Sequence, residues 1–225
     1  MGISPFKTRY KLLLEKAQIE ESTFKGNVYT EYGNILEPKI RDYISNKLQI
    51  GFVETSDIIE GEIPVRLNTD GYAEDTILEI KTTSEIKNNL EDYRSYLVQL
   101  LFYMHFKQTK YGVLAVYERP KDFDTTFDEN NLKTYKINIS DYSELLDIIL
   151  YECRRFWKDL EQVKNNYVFG ITLQEEYFVA NPLVVLSNQI ISLENKLAEV
   201  EVFEKQLKDF KEQLKVEMEN NSVKK

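Results

Sequence analysis

The chain has 225 residues, 42% of them hydrophobic and 30% charged, with a formal net charge of −9. This suits a globular domain with an appendage and excludes a chain that coats nucleic acid through bulk positive charge. A single cysteine, Cys153, and a single histidine, His105, exclude an internal disulfide, a cysteine cluster for zinc or iron–sulfur, and histidine-based triads or zinc hydrolase sites.

Tyr10, Leu13, Leu14 and Ala17 recur at helical spacing, which predicts a helix over residues 8–17. The turn SPFKT leads into it, with Ser4 and Thr8 as candidate caps. A second helix is expected from near Thr30, with Tyr32, Ile35, Leu36, Ile40, Tyr43, Ile44 and Leu48 on one stripe. Pro38 marks a kink or a helix start within it. From residue 50 to 83 the period shortens to that of β structure, and two or three antiparallel strands are expected. Asp70-Gly71 and the polar cluster Ala73–Thr76 read as turns. A long helix from about Asn88 to Lys107 follows, with an apolar face of Leu90, Tyr93, Leu97, Leu100, Leu101 and Met104. The segments YGVLAVYE and LKTYKINI read as strands either side of a polar loop. A helix from about Ser140 to Asn165 carries Leu145, Ile148, Ile149, Cys153, Phe156, Trp157 and Leu160.

The last stretch has another periodicity. Leu186, Leu193, Val200, Leu207 and Leu214 recur every seven residues, with Ile190, Leu197, Phe203 and Phe210 at or near the intermediate positions. That is a coiled-coil pattern over about four heptads. Its two readings are pairing with a partner and folding back on its own domain. The expected organisation is one domain over residues 1–180 and a coiled-coil helix over 184–220. No apolar run approaches the roughly 20 residues of a membrane helix. The N-terminus lacks the apolar core and cleavage site of a secretion signal. A cytoplasmic protein without a membrane partner is expected.

The chemistry concentrates in NTDGYAEDTILEIKTTS. Side chains alternate along a strand, so Glu79 and Lys81 project to one face while Leu78 and Ile80 take the other. A charged pair within an apolar strand costs free energy unless partnered. Asp70, on the preceding strand, can add a second carboxylate to that face. Converging carboxylates suit a hard divalent cation such as magnesium, and a neighbouring lysine can polarise or deprotonate a water. Asp, then Glu-x-Lys followed by hydroxyl residues, resembles the core of the PD-(D/E)XK nucleases. Two flanking segments resemble the phage exonuclease branch, the lambda-exonuclease-like and YqaJ-like viral recombinase proteins. One is EYGNILEPKI, with Glu37. The other is YLVQLLFYMHF, with Gln99 and Tyr103 one helical turn apart. The opening GISPFKTRYKLLLEK and the heptad tail look like that family's two ends.

The resemblance implies an α/β fold: a PD-(D/E)XK restriction-endonuclease-like core, a mixed sheet flanked by helices, with a C-terminal coiled-coil helix. It implies a magnesium-dependent DNA nuclease, with manganese as a substitute, acting 5′-to-3′ on double-stranded DNA in phage-type recombination. It further implies metal ligation by Glu37, Asp70, Glu79 and the Ile80 carbonyl, with Lys81 acting on the nucleophilic water. Gln99 orients the site and Tyr103 supports it. A homo-oligomer, possible as a trimeric ring around DNA, and a single-strand annealing protein as partner complete the picture. In the family more sequence precedes the serine–proline turn, including an arginine implicated in gripping the DNA 5′ phosphate. Lys7 and Arg9 stand nearest to that role here, and Arg94 is a further candidate DNA contact. Two other readings stay open: an endonuclease or repair nuclease on the same site, and a non-catalytic coiled-coil protein on a degenerate scaffold. The residues have structural alternatives too: Glu37 as a solvated helix residue, Gln99 as surface, Tyr103, Cys153 and Trp157 as packing, and His105 as a half-buried helix residue.

Overall fold

Thr8 caps the first helix, α1 (Arg9–Lys16), by accepting the Lys11 N–H at 3.2 Å. This computed structural model describes residues 7–21, 26–168, 200 and 203–217, so Ser4 lies outside the described residues. Helix α2 (Val28–Leu48) starts two residues before the expected Thr30, because Asn27 accepts the Tyr29 and Thr30 N–H groups. It closes on Gln49 in the left-handed region, φ 56°. Pro38 lies inside this continuous helix, so it is not a helix start. Its stripe of Tyr32, Leu36, Ile40 and Ile44 is buried.

Three antiparallel strands follow: β1 (Val53–Ile59), β2 (Val65–Ala73) and β3 (Thr76–Thr83). Asp70-Gly71 is not a turn but the interior of β2. The reversal falls at Glu74 and Asp75, between the paired Ala73 and Thr76, with Glu74 at φ 51°. Gly71 is needed for a packing reason. A Cβ there would lie 2.9 Å from the Leu78 Cβ and 3.1 Å from the Phe52 Cβ, so the glycine permits close approach rather than a turn.

A 3₁₀ turn (Leu90–Tyr93) leads into α3 (Arg94–Phe106), which crosses over to β4 (Tyr111–Glu118). This crossover makes β3 and β4 parallel. Strand β5 (Leu132–Asn138) returns antiparallel to β4, and α4 (Ser143–Val168) follows. The sheet order is β1-β2-β3-β4-β5, a mixed sheet of five strands. Helix α2 covers one face, over Leu78, Ile80, Val113, Ala115 and Tyr117. Helix α3, with Ile149 of α4, covers the other, over Ile77, Leu114, Val116 and Ile137. Covered on both faces, β3 and β4 read as near-continuous apolar runs, which is why the charges in β3 stand out.

The chain divides into two compact units, Met1–Gly170 and Ile171–Lys225. In the second, residues 203–217 are helical, and Phe203, Leu207, Phe210 and Leu214 are exposed. Leu186, Ile190, Leu193 and Leu197 lie outside the described residues. Among the described residues no helix is long and apolar enough to cross a membrane.

Candidate active site

The site forms where a strand ladder opens. Strands β2 and β3 pair only at Gly71–Ala73 with Thr76–Leu78. At the next position the Asp70 carboxylate replaces the main chain: its Oδ2 accepts the Ile80 N–H at 2.7 Å. That bond draws the Ile80 backbone into the site while its side chain joins the core under α2. The register sets Asp70 beside Glu79, on the face that looks toward α3.

Glu79 is fully buried, and neither carboxylate oxygen accepts a hydrogen bond of normal geometry. Among the described residues its counter-charge contact is an ion pair from the Lys81 ammonium to Oε1. Burial, reinforced by Asp70 and Glu37 and opposed by Lys81, pushes the Glu79 pKa up to about 7. Burial also raises Asp70, against the pull of Lys81 and of the Ile80 amide. For Lys81, burial acts to lower the pKa, but Glu79 and Asp70 together outweigh it and hold the ammonium above its ordinary value. Glu37 joins from α2. Burial and then Asp70 push it up to about 7, with Arg41 opposing. Tyr103 stands on the α3 side, raised by burial and by Glu79, and accepts a hydrogen bond from Gln99 Nε2 at 3.0 Å.

Glu37, Asp70, Glu79 and Lys81 therefore lie in one another's electrostatic field, Tyr103 lies in that of the last three, and Gln99 reaches the group through Tyr103. The other three candidates lie elsewhere. Lys7 forms an ion pair with Glu15. Arg9 pairs with Asp159, lies 3.6 Å from Glu152 and sits over the Phe156 ring at 5.5 Å, so it ties α1 to α4. Arg94 is exposed at the start of α3.

Two neighbours were not expected in these roles. Arg41 bridges Glu37 at 2.9 Å and Glu54 at 3.6 Å. Its spacing of one helical turn from Glu37 is the signal that could have found it. Tyr96 lies with its ring 5.8 Å from the Lys81 ammonium.

The donor chemistry fits a hard divalent cation: three carboxylates with raised pKa values, one of them fully buried with Oε2 accepting no hydrogen bond among the described residues. The spacing is looser than a loaded centre. Among the described residues no three carboxylate or imidazole groups already converge as an ion's ligand set. Glu37 is held by Arg41 and Asp70 by the Ile80 amide.

A mixed sheet between helices, with a buried Glu-x-Lys on the central strand and an aspartate from its neighbour, is the PD-(D/E)XK nuclease fold. Among solved structures the chain is similar to a phage-related exonuclease from Haemophilus somnus 129PT, with TM-score 0.52 and 14% identity over 68% of this chain and 81% of that one. It is also similar to an alkaline exonuclease from Laribacter hongkongensis, with TM-score 0.49 and 18% identity over 72% of this chain and 82% of that one. No curated protein matches. Residues 1–111 match the model of the YqaJ-like viral recombinase domain.

Proposed function

We propose that the chain is a magnesium-dependent DNA nuclease, a 5′-to-3′ exonuclease on double-stranded DNA in phage-type recombination. The observation that carries this reading is Glu79: a carboxylate at 0% exposure, paired with the Lys81 ammonium and set beside Asp70 where β2 and β3 part. A fold does not retain so costly a group for stability. Glu37, Asp70, Glu79 and the Ile80 carbonyl would hold the cation, magnesium or manganese. When bound, it supplies charge stabilisation at the scissile phosphate and activates water.

The remaining steps belong to side chains. Lys81, kept an ammonium by Glu79 and Asp70, orients the attacking water and stabilises charge on the phosphate oxygens. Tyr103 stays a neutral phenol, because burial and Glu79 both oppose its ionisation. Held by Gln99, its hydroxyl can donate toward the carboxylates or a phosphate oxygen. The exposed Phe203, Leu207, Phe210 and Leu214 support a tail that pairs copies of the chain, which fits a homo-oligomer. A single-strand annealing protein as a working partner rests on the family alone.

The test is degradation of linear duplex DNA, with and without a 5′ phosphate, with magnesium or manganese, comparing wild type with Lys81→Ala. Loss of the linear DNA, abolished by the substitution and faster with the 5′ phosphate, is expected. Supercoiled circles should stay intact; nicked circles would replace the exonuclease with an endonuclease. No cutting of either form with either metal would overturn the catalytic reading.

A further inference from the structure

Tyr29, Gly33, Glu37 and Arg41 recur every four residues along α2 and so form one ridge, of which Glu37 is the part already placed in the candidate active site. Toward the helix N-terminus the ridge meets Arg119, just past the end of β4. The Arg119 N–H donates to the Thr83 carbonyl at 2.7 Å, which fixes it two residues beyond Lys81, or ~6.6 Å along the strand. Its guanidinium lies 4.6 Å from the Tyr29 ring centroid and 4.9 Å from that of Phe123. Phe123 is held there by an edge contact with Tyr32, 5.6 Å between centroids, and by a left-handed backbone at φ 59°.

Two features of this arrangement lack a reason inside the fold. The first is Arg119 itself. Two aromatic rings flank its guanidinium, and it is half-buried. Among the described residues its side chain nevertheless forms no hydrogen bond or ion pair. The nearby Asp122 and Asp124 carboxylates cap their own loop instead, accepting from the Asp124 N–H and from Thr126. A guanidinium held against aromatic rings with its N–H fork unoccupied among the described residues is suited to an oxyanion. The second is Gly33. Glycine inside a helix is destabilising relative to alanine, yet packing does not demand it. A Cβ there would meet nothing nearer than Thr82 Oγ1, at an ordinary 3.8 Å, and its backbone is plainly helical. A bare patch between Arg119 and Glu37 lets something outside the chain come close to the helix.

We infer that Tyr29, Gly33 and Arg119 form a strand-binding groove that runs along α2 into the candidate active site. Arg119 takes one phosphate of a single DNA strand. Tyr29, 52% exposed, offers its ring to the adjoining base, and the sugar–phosphate backbone passes over Gly33. The inference rests on the nuclease reading for its placement beside the cutting site, but the contact itself is separable from cleavage.

The experiment is fluorescence anisotropy of a labelled single-stranded oligonucleotide with the full chain in chelator, so that nothing is cut. Arg119→Gln should weaken binding roughly tenfold and flatten the salt dependence by ~0.7 in log–log slope, the share of one single-strand phosphate contact. Tyr29→Ala should weaken it roughly threefold to tenfold. Gly33→Ala should weaken binding while raising Tm by a few degrees, a pairing that a structural glycine cannot produce. If Arg119→Gln fails to fold by circular dichroism, the Gly33→Ala pairing decides alone. No binding by wild type, an unchanged affinity and salt slope in folded Arg119→Gln, or a fall in Tm for Gly33→Ala would overturn the groove. If wild type cuts no DNA yet binds through Arg119, the nuclease reading fails and the groove stands. If it cuts but Arg119 and Gly33 variants bind normally, the groove fails and the nuclease reading stands.

Discussion

Strand β3 and the tail helix break the same rule in opposite directions. In β3 a glutamate sits at 0% exposure in the middle of an apolar sheet. In the tail, Phe203, Leu207, Phe210 and Leu214 are all more than half exposed, where polar residues belong. Charged groups are almost never fully buried without a partner, and a row of large apolar residues is seldom left in water. Under the proposed function each region awaits something that completes it: the strand a cation and a substrate, the tail another copy of the chain. They differ in how much of the answer the chain itself supplies. Around Glu79 the chain provides Lys81, Asp70, Glu37 and Tyr103, so the chemistry can be argued group by group. Around the tail it provides only a period.

The largest effect is expected from the strand. Lys81→Ala and Glu79→Gln should each lower the rate of duplex degradation by at least ~100-fold, the usual scale for removing one group that stabilises transition-state charge. Single-turnover rates at saturating magnesium are the measure. A loss below threefold for both would show that the buried pair is structural. Glu79→Gln should also sharpen the contrast from the other side, because it removes a buried charge: Tm in chelator at pH 8 should rise relative to wild type. The tail comes next. If the tail pairs copies of the chain, Leu207→Asp with Leu214→Asp should give a smaller species than wild type in sedimentation analysis, with the chelator-state Tm of the first unit unchanged. An identical mass for wild type and the double variant would break the symmetry between the two regions.

A smaller effect follows from the carboxylates' titration. Glu37 and Glu79 both rise from an ordinary 4.5 to about 7 in the folded chain, by burial first and by neighbouring carboxylates. Below pH 4.5 both groups are protonated whether folded or unfolded, and the shift has no effect on stability. As pH rises, the unfolded chain releases these protons while the folded chain keeps them, so stability falls until about pH 7 and then levels. Thermal melts in chelator should show that decline, and Glu79→Gln should flatten it. Added magnesium should raise Tm more at pH 8 than at pH 5, since the cation competes with those protons. A wild-type Tm that rises from pH 5 to pH 7 in chelator would contradict the buried-carboxylate account.

What could be read from the sequence follows from the range of the interactions involved. Glu79 and Lys81 on one face, opposite Leu78 and Ile80, needed only the two-residue period of a strand. The α2 stripe needed only the period of a helix. Asp70-Gly71 was misread because that dipeptide is a strong local turn signal, and only Phe52 and Leu78 packing on Gly71 explains a glycine inside β2. The reversal falls in the other turn signal, the polar cluster Ala73–Thr76, with Glu74 in the left-handed region. The parallel pairing of β3 with β4 was not legible, since period says nothing of strand order. Arg41 was legible in position but not in role, because Glu54 arrives from β1.

Arg9 is the clearest case of a long-range partner changing a residue's meaning, and it carries the smallest prediction. A basic run at the N-terminus reads as a phosphate grip. In the fold, Asp159, 150 residues away in sequence, takes the guanidinium, Glu152 lies within 3.6 Å, and Phe156 lies beneath it. The side chain is 17% exposed, so it is neither a solvated surface pair nor a buried one, and its removal leaves Asp159 at 15% exposure without its cation. Arg9→Ala should therefore lower stability by about 1–2 kcal/mol, read from urea melts, through lost packing as much as lost charge. Its single-strand affinity in chelator should stay within twofold of wild type, in contrast to Arg119→Gln. A stability unchanged by the substitution together with an affinity loss of tenfold would return Arg9 to the DNA-binding role that its sequence context suggests, and would mean that the α1–α4 ion pair opens to admit a phosphate.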